Sequence, residues 1–205
     1  MDIKALIESE SASGISGIMQ FRSELEGLMK FMKDNEVRSY LEIGVKGGHL
    51  VRFLQAAFQF DRTFACDLNK PASLENSNEI ELFHGSSTSW GYRQWRKRIG
   101  HVGLVFIDAD HTLKGVRKDY LREKKFPHQF LAFHDIANDG YPDLKRFWEE
   151  EVTGKVATFV NSVPDDTLIN SLHRGSDYIN DYRRRYGNSC GIGIVRSKSP
   201  TNYGE

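Results

Sequence analysis

Short apolar runs alternate with longer amphipathic stretches along most of the chain, and this alternation restricts the folds it can adopt. The apolar runs have the length and composition of buried strands, and they lie at 39–45, 62–68, 79–85, 101–108 and 129–136. The stretches between them have the length of short helices, and they lie at 49–60, 71–79, 89–99 and 112–125. Strands that alternate with helices of about ten residues are typical of βαβ units. The pattern therefore predicts an α/β fold with a parallel sheet and helices on both faces.

The two ends of the chain depart from this alternation. Apolar residues at helical spacing predict a helix over 17–34, within an N-terminal helical extension at 1–36. A helix over 141–152 precedes two strand-like runs, 155–161 and 191–197, which we expect to pair at one edge of the sheet. The expected result is a mostly parallel, seven-stranded sheet with an antiparallel edge strand.

A segment of about 30 residues, 162–190, separates the last two predicted strands and is too long for a simple connecting loop without a function. We expect it to overhang the strand ends as a substrate-side insertion. Residues 1–205 are predicted to form a single domain, with a core at 37–160.

The charge balance excludes some classes of partner. The 205 residues carry 28 basic and 28 acidic side chains, so the formal net charge is zero, which argues against a nucleic-acid-binding domain. No apolar run approaches the roughly 18 residues of a membrane span, and the acidic N-terminus does not resemble a secretory signal. Two cysteines are too few for a disulfide framework. We therefore expect a cytoplasmic protein that does not contact membranes.

The turn after the first predicted strand contains glycines in a pattern that suggests ligand binding. It reads Glu42-Ile43-Gly44-Val45-Lys46-Gly47-Gly48, and we expect Gly44 and Gly48 to let the backbone approach a ligand closely. Lys46 occupies the second glycine position of the dinucleotide pattern, and no P-loop spacing follows. The acid at the start suits a ligand with hydroxyls and positive charge better than a pyrophosphate.

A second acid ends the next predicted strand. Asp67 follows Glu42 by 25 residues, where a carboxylate can accept hydrogen bonds from both hydroxyls of a ribose. The alternative is structural, because Asp-Leu-Asn is also good turn chemistry and Asp67 would then cap its own turn.

Four segments together resemble a known family. LEIGVKGGHL, FACDLN and FIDADHTLKGVRKDY, followed by FHDI, resemble class I S-adenosylmethionine-dependent methyltransferases, in particular small O-methyltransferase-like proteins with Asp-x-Asp-His and His-Asp strand ends. The resemblance covers about residues 38–136 and implies a Rossmann-like methyltransferase fold with a cofactor-binding core. It also implies the cofactor-binding residues. They are Glu42 and Gly44 on the methionine side, Asp67 on the ribose, and Ser86 or Ser87 beside the adenine. Gly48 and Asp108 complete the predicted cofactor-binding residues. Either serine is equally suited to cap the helix that follows.

Carboxylates and histidines follow the fourth and fifth predicted strands. Asp108, Asp110 and His111 end one strand, and His134 and Asp135 end the other, so they should converge on one edge of the sheet. Oxygen ligands favour Mg²⁺ or another hard divalent cation, and the resemblance implies that Asp108 and Asp135 hold it. His134 stands where many relatives have an acid, and it would ligate a transition metal, orient Asp135 or act as a base without metal. The structural alternative is that both acids cap the next helices.

A hydroxyl acceptor needs a base or a metal, because it is a weak nucleophile at neutral pH. His111, expected to be neutral near pH 7, is the preferred base, and Asp110 is the alternative. The predicted function is methylation of a small-molecule or sugar hydroxyl. The alternatives are a metal-free methyltransferase with another acceptor and a protein that binds a nucleoside cofactor without turnover.

Two basic runs and the first helix complete the expectations. The run 93–98 is interpreted as a solvated helix face rather than a nucleic-acid contact. Arg183–Arg185, with Tyr178 and Tyr182, would select an anionic or sugar-phosphate acceptor, or form an exposed helix tail. The amphipathic N-terminal helix is a common dimer element, so a homodimer is conceivable.

Overall fold

The computed structural model describes residues 1–12, 17–75, 77–161, 175–187 and 189–197. Seven strands form one sheet: β1 (Ser39–Ile43), β2 (Arg62–Asp67), β3 (Ile80–His84), β4 (Val102–Ile107), β5 (His128–His134), β6 (Lys155–Phe159) and β7 (Ile192–Arg196). Seven α-helices accompany them in the described residues: α1 (Ile3–Ala12), α2 (Arg22–Asp34), α3 (His49–Phe58), α4 (Trp90–Ile99), α5 (Leu113–Glu123), α6 (Pro142–Arg146) and α7 (Gly175–Tyr186).

The strand order is β3-β2-β1-β4-β5-β7-β6, and the first five strands in this order are parallel. β7 lies between β5 and β6 and runs antiparallel to both, so antiparallel pairing is confined to one edge. The predicted fold class is confirmed. The chain leaves β1 toward β2 and β3 and then returns to β4 on the other side of β1. Ligands of open α/β sheets bind beyond the strand ends at such a point of reversal.

Buried apolar side chains form a layer on each face of the sheet. One layer packs under α1, α2 and α3, and the other packs under α4, α5 and α6. All five residues of β1 are buried, as expected for a central strand covered on both faces. No helix in the described part of the chain is long and apolar enough to cross a membrane.

Some predicted elements differ from the observed ones. The helix expected over 71–79 is only a 3₁₀ turn at Ala72–Leu74, because the serines and asparagines of this stretch favour turns over helix interiors. The helix expected over 141–152 is α6 continued by a π-helical turn at Phe147–Glu151. α2 begins at Arg22 rather than at residue 17. Of the predicted insertion 162–190, residues 162–174 and 188 lie outside the described residues, and α7 forms most of the rest.

Candidate functional site

The turn from β1 to α3 is built against neighbouring parts of the protein. Gly44 has φ +91°, and a Cβ there would overlap the carbonyl oxygen of Asp108. Gly48 has φ +74°, and its Cβ would lie 2.6 Å from the hydroxyl of Ser73. Both positions therefore require glycine for close packing within the chain, which is sufficient to explain them without a ligand.

Asp67, at the end of β2, holds this turn. Its Oδ2 accepts the backbone N–H of Lys46 at 2.9 Å, and its Oδ1 accepts that of Asn69 at 2.8 Å. The structural interpretation of Asp67 as a turn cap is therefore confirmed. The carboxylate also lines a cavity, and each of its oxygens has a second lone pair. Capping and ligand binding are compatible at this residue.

The cavity beside Asp67 has a volume of about 730 Å³ and extends across the ends of β1, β2 and β4. We call it the donor cavity. Ser86 and Ser87 line it, but neither caps a helix, because Ser89 is the N-cap of α4 and accepts the N–H of Tyr92 at 3.0 Å. Ser87 instead donates to Asp119 at 2.6 Å. Burial raises the pKa of Asp119 to about 6.

A second cavity, of about 370 Å³, lies on the other side of the β1 and β4 strand ends. We call it the acceptor cavity. Gly44, Lys46, Asp108 and His111 line both cavities, so the two meet at these residues. Such volumes are typical of small-molecule sites.

Four side chains from the ends of β4 and β5 form a compact group, as the sequence predicted. His111 Nε2 lies 2.9 Å from Asp135 Oδ2 and 3.5 Å from Asp108 Oδ1. His134 Nδ1 lies 3.2 Å from Asp108 Oδ1 and 3.3 Å from Asp135 Oδ2. We call this group the acid–histidine cluster. Neither acid caps a helix: Thr112 is the N-cap of α5, and α6 has no side-chain cap, so the capping alternative is wrong.

The charges in the acid–histidine cluster support one another. Hydrogen bonds to Asp108 and Asp135 raise the pKa of His111 to about 9, so this ring is protonated near pH 7. The expectation of a neutral His111 is wrong because the sequence could not show that both carboxylates flank the ring. Burial opposes charge on His134, but the same two carboxylates outweigh it and raise its pKa. Burial opposes charge on Asp135 as well, and the two histidines nevertheless hold its pKa below the usual range.

Two residues that sequence reasoning missed support Asp135 and His111. Asp135 has φ +59°, an uncommon conformation for a residue with a side chain, and its Oδ1 accepts from the amide of Asn138 at 2.7 Å. The ring of Tyr141 stacks on that of His111, with centroids 4.4 Å apart. The Asp-x-x-Asn spacing was a usable signal for the first contact, whereas nothing in the sequence pointed to Tyr141.

Asp110 is not part of the acid–histidine cluster. It is exposed, its Oδ1 accepts the N–H of Thr112 at 3.0 Å, and it lies over Gly115 beside the donor cavity. The geometry therefore separates Asp110 from His111, with which it was predicted to share a catalytic role.

Glu42 lines the acceptor cavity but not the donor cavity, and only 2% of its surface is exposed. The hydroxyl of Tyr40 donates to Glu42 Oε2 at 2.9 Å. Burial raises the pKa of Glu42 to about 8, and the nearby charge of Asp108 acts in the same direction. The carboxyl is therefore mostly protonated at neutral pH until a positive charge is placed beside it.

Part of α7 borders the acceptor cavity, as expected for the second basic run. Tyr182 and Arg185 line the cavity, and Arg185 pairs with Asp181 at 2.9 Å. The side chain of Tyr178 lies outside the described residues.

The donor sets fit the groups that the resemblance implies. Acidic side chains around both cavities suit a cationic nucleoside ligand with ribose hydroxyls. The ligand atoms of Asp108, His134 and Asp135 all lie within 4.8 Å of one another, so the group can hold a cation. Oxygen donors from the two acids match a hard divalent ion.

Comparisons with known proteins support the fold. No protein-family model matches the sequence, and no curated protein matches it. Among solved structures, an O-methyltransferase from Bacillus cereus in complex with S-adenosylhomocysteine is 13% identical with a TM-score of 0.56, covering 95% of this chain and 90% of that one. A proposed RNA methyltransferase from Pyrococcus horikoshii is 16% identical with a TM-score of 0.56, covering 98% of both chains.

The mycinamycin-pathway methyltransferase MycE, in complex with Mg and S-adenosylhomocysteine, is also similar. It is 16% identical with a TM-score of 0.57, covering 100% of this chain but 57% of that one. At these identities the likenesses establish a Rossmann-like fold shared with methyltransferases.

Proposed function

We propose that this protein is an S-adenosylmethionine-dependent methyltransferase that acts on a hydroxyl of a small molecule or sugar. One observation carries the proposal: two cavities meet at the strand ends, and His111 and Asp108 stand where they meet. Methyl transfer requires this arrangement, because donor and acceptor must be aligned at one point. The shared fold of solved methyltransferases supports the same assignment.

The donor cavity would bind the cofactor, whose sulfonium carries the methyl group in activated form. Asp67 would accept hydrogen bonds from the ribose hydroxyls through its remaining lone pairs. Ser86 and Ser87 would contact the adenine. Gly44 and Asp108, which line both cavities, would border the methionine portion, and this portion would reach Glu42 in the acceptor cavity. The positive charge there would favour ionised Glu42. Gly48 lines neither cavity and would contribute through the shape of the turn.

The acceptor hydroxyl would lose its proton to His111. Asp108 and Asp135 hold this ring in place and stabilise its protonated form, so His111 is a strong base once it has released its resting proton. Because its pKa is about 9, metal-free turnover should increase with pH up to about that value.

Asp108 and Asp135 would also hold a divalent cation such as Mg²⁺, which lowers the pKa of a bound hydroxyl. His134 Nδ1 lies within hydrogen-bond distance of Asp108 and near Asp135, so His134 would position the ligands rather than bind the hard ion itself. A metal-free methyltransferase remains the alternative, and rescue of chelated protein by Mg²⁺ distinguishes the two.

The cofactor class is tested by calorimetric titration with S-adenosylhomocysteine and, separately, with NAD. We expect binding of the first only, and we expect Asp67→Asn to weaken it by about 10- to 100-fold, as for hydrogen bonds to a charged group. Asp61→Asn is the matched control, since Asp61 is exposed at the other end of the same strand. Binding of NAD alone would refute the proposal.

The role of His111 is tested by His111→Ala, with turnover measured on a panel of hydroxyl acceptors. Turnover should fall by about 10²- to 10⁴-fold and lose its rise toward pH 9, while affinity for S-adenosylhomocysteine is retained. His101→Ala is the control, because His101 is exposed at the opposite end of β4. Cofactor binding without turnover on any acceptor would favour a non-catalytic module.

A further inference from the structure

A second group of ligand-type side chains lies behind the acid–histidine cluster. It comprises Glu24 of α2, His134 at the end of β5 and Cys190 just before β7. One ligand atom from each lies within 4.8 Å of the other two. Glu24 and Cys190 are completely buried, and His134 is 5% exposed. Glu24 and Cys190 have no role in the proposed reaction, and His134 contributes to it only through Nδ1, which contacts Asp108 and Asp135.

Two polar atoms in this group are buried without a hydrogen-bond partner in the described residues. They are Glu24 Oε2 and His134 Nε2. An unpartnered buried polar atom costs about 1–3 kcal/mol, and native structures contain few of them. Glu24 Oε2, His134 Nε2 and the thiol of Cys190 therefore form a buried group of three donor-type atoms, two of which lack a hydrogen-bond partner.

The remaining polar atoms of the same three side chains are already held. Glu24 Oε1 accepts the backbone N–H groups of Asn161 and Gly191, each at 3.0 Å. The sulfur of Cys190 lies 3.0 Å from the hydroxyl of Tyr182. His134 Nδ1 contacts the carboxylate of Asp108 at 3.2 Å.

This is the pattern of outer contacts around a metal ion. A metal-binding histidine characteristically donates its other ring N–H to a carboxylate, which leaves the free nitrogen to bind the metal. His134 has that arrangement, with Nδ1 on Asp108 and Nε2 without a hydrogen-bonded oxygen or nitrogen, beside the Cys190 thiol. The charged ring carries a proton on Nε2, and a metal ion would replace that proton.

We propose that Glu24 Oε2, His134 Nε2 and Cys190 Sγ bind one transition-metal ion of the Zn²⁺ type. Oxygen, nitrogen and sulfur donors together suit zinc, whereas Mg²⁺ takes oxygen ligands. This ion is separate from the cation at Asp108 and Asp135. Ligands of tetrahedral zinc lie about 3.5 Å apart, so any of these separations that exceeds this distance would shorten on binding. The Cys190 thiol and the charged His134 ring each release one proton to solvent as the metal–sulfur and metal–nitrogen bonds form.

Such an ion would serve the neighbouring cluster. Metal on Nε2 fixes the histidine proton on Nδ1, where it is directed toward Asp108 and Asp135. It would also join α2, β5 and the segment before β7, which are far apart in sequence.

Cobalt substitution tests the site without an activity assay. Protein stripped with a chelator and titrated with Co²⁺ should develop a thiolate-to-cobalt absorption band that saturates at one equivalent. The chain has two cysteines, Cys66 and Cys190, both buried, so Cys66→Ser is a matched control for Cys190→Ser. We expect the band to persist in Cys66→Ser and vanish in Cys190→Ser. No band in the wild type, or the reverse result in the variants, overturns the proposal.

Two further measurements assign the other ligands. Glu24→Gln keeps an oxygen for the two backbone N–H groups but loses the ligand atom, so zinc affinity should fall at least about 10-fold. Excess Mg²⁺ should leave the cobalt band unchanged, and displacement of the band would mean that the two sites are one. If Cys190→Ser does not fold, X-ray absorption of zinc-loaded wild type should show one sulfur at about 2.3 Å with lighter ligands at about 2.0–2.1 Å. A shell without sulfur overturns the proposal.

Discussion

Two clusters of charged side chains, one completely buried and one partly exposed, lie at opposite ends of the parallel strands. At the edge where β4 and β5 begin, Arg96 and Glu123 join α4 to α5, and both side chains are completely buried. At the edge where these strands end lies the acid–histidine cluster. The first cluster has every charged atom partnered, whereas the second borders two cavities and contains an unpartnered nitrogen on His134.

We call the first cluster, formed by Arg96 and Glu123, the closed cluster, because its charged atoms find all their partners within the fold. Arg96 Nε donates to Glu123 Oε2 at 2.9 Å, and the two other Arg96 nitrogens donate to the carbonyl oxygens of Gly100 and Pro127. The remaining oxygen of Glu123 accepts from Tyr92 at 2.8 Å. A buried charge with all its partners inside the fold supports the fold. A charged group that borders a cavity and can still form further hydrogen bonds is available to a ligand. This difference distinguishes the two clusters.

The largest effect should come from breaking the closed cluster. Arg96→Met leaves Glu123 buried without its counter-charge and should lower the free energy of unfolding by about 3–5 kcal/mol. The measurement is urea denaturation followed by circular dichroism. The double variant Arg96→Met with Glu123→Met should recover much of the loss, because no unpaired charge remains. A loss below 1 kcal/mol in the single variant would mean that the pair is not structural.

The same pair shows where sequence reasoning fails. Arg96 lies in a basic run that was interpreted as a solvated helix face, and the structure buries it completely. The local charge pattern could not reveal Glu123, which is 27 residues away on another helix. The pairing exists only after α4 and α5 pack side by side on the sheet.

The sequence predicted correctly those residues of the candidate site whose positions depend only on where the strands end. Asp108, His111, His134 and Asp135 lie at the ends of neighbouring parallel strands. The alternation of strands and helices along the sequence was therefore enough to predict that they lie close together. Glu24 and Cys190 were not predicted as partners of His134, because their contact depends on how α2 packs against the segment before β7. The pKa of His111 was missed for the same reason, since it depends on distances to two carboxylates.

Replacing the ionisable residue Glu42 of the candidate site should raise the free energy of unfolding, whereas replacing a charged residue of the closed cluster should lower it. Burial raises the pKa of Glu42 from its ordinary 4.5 to about 8, so the folded protein holds a proton that the unfolded chain has released between these values. Wild-type stability should therefore decrease as pH rises through this window. Glu42→Gln cannot ionise and should be more stable than wild type by about 3 kcal/mol at pH 7, because pH 7 lies 2.5 units above 4.5 and each unit is worth about 1.4 kcal/mol.

The measurement for Glu42 is denaturation at several pH values. The difference between Glu42→Gln and wild type should vanish near pH 4 and reach its maximum near pH 8. Glu79→Gln, at an exposed glutamate, is the control and should leave the pH dependence unchanged. The variant should also bind S-adenosylhomocysteine more weakly. A variant that is less stable than wild type at pH 7 would place Glu42 with the structural charges.

The smallest effect distinguishes two serines only two residues apart. Ser89 caps α4, so Ser89→Ala should lower stability by about 1 kcal/mol and leave the affinity for S-adenosylhomocysteine unchanged. Ser87 lines the donor cavity and donates to Asp119 at 2.6 Å, so Ser87→Ala should weaken that affinity several-fold, by about 1 kcal/mol. Calorimetry and urea denaturation of both variants give the two quantities. Equal affinities of the two variants for S-adenosylhomocysteine would show that Ser87 does not contact the cofactor. Structural and ligand-binding side chains would then be distinguishable as clusters but not at neighbouring single residues.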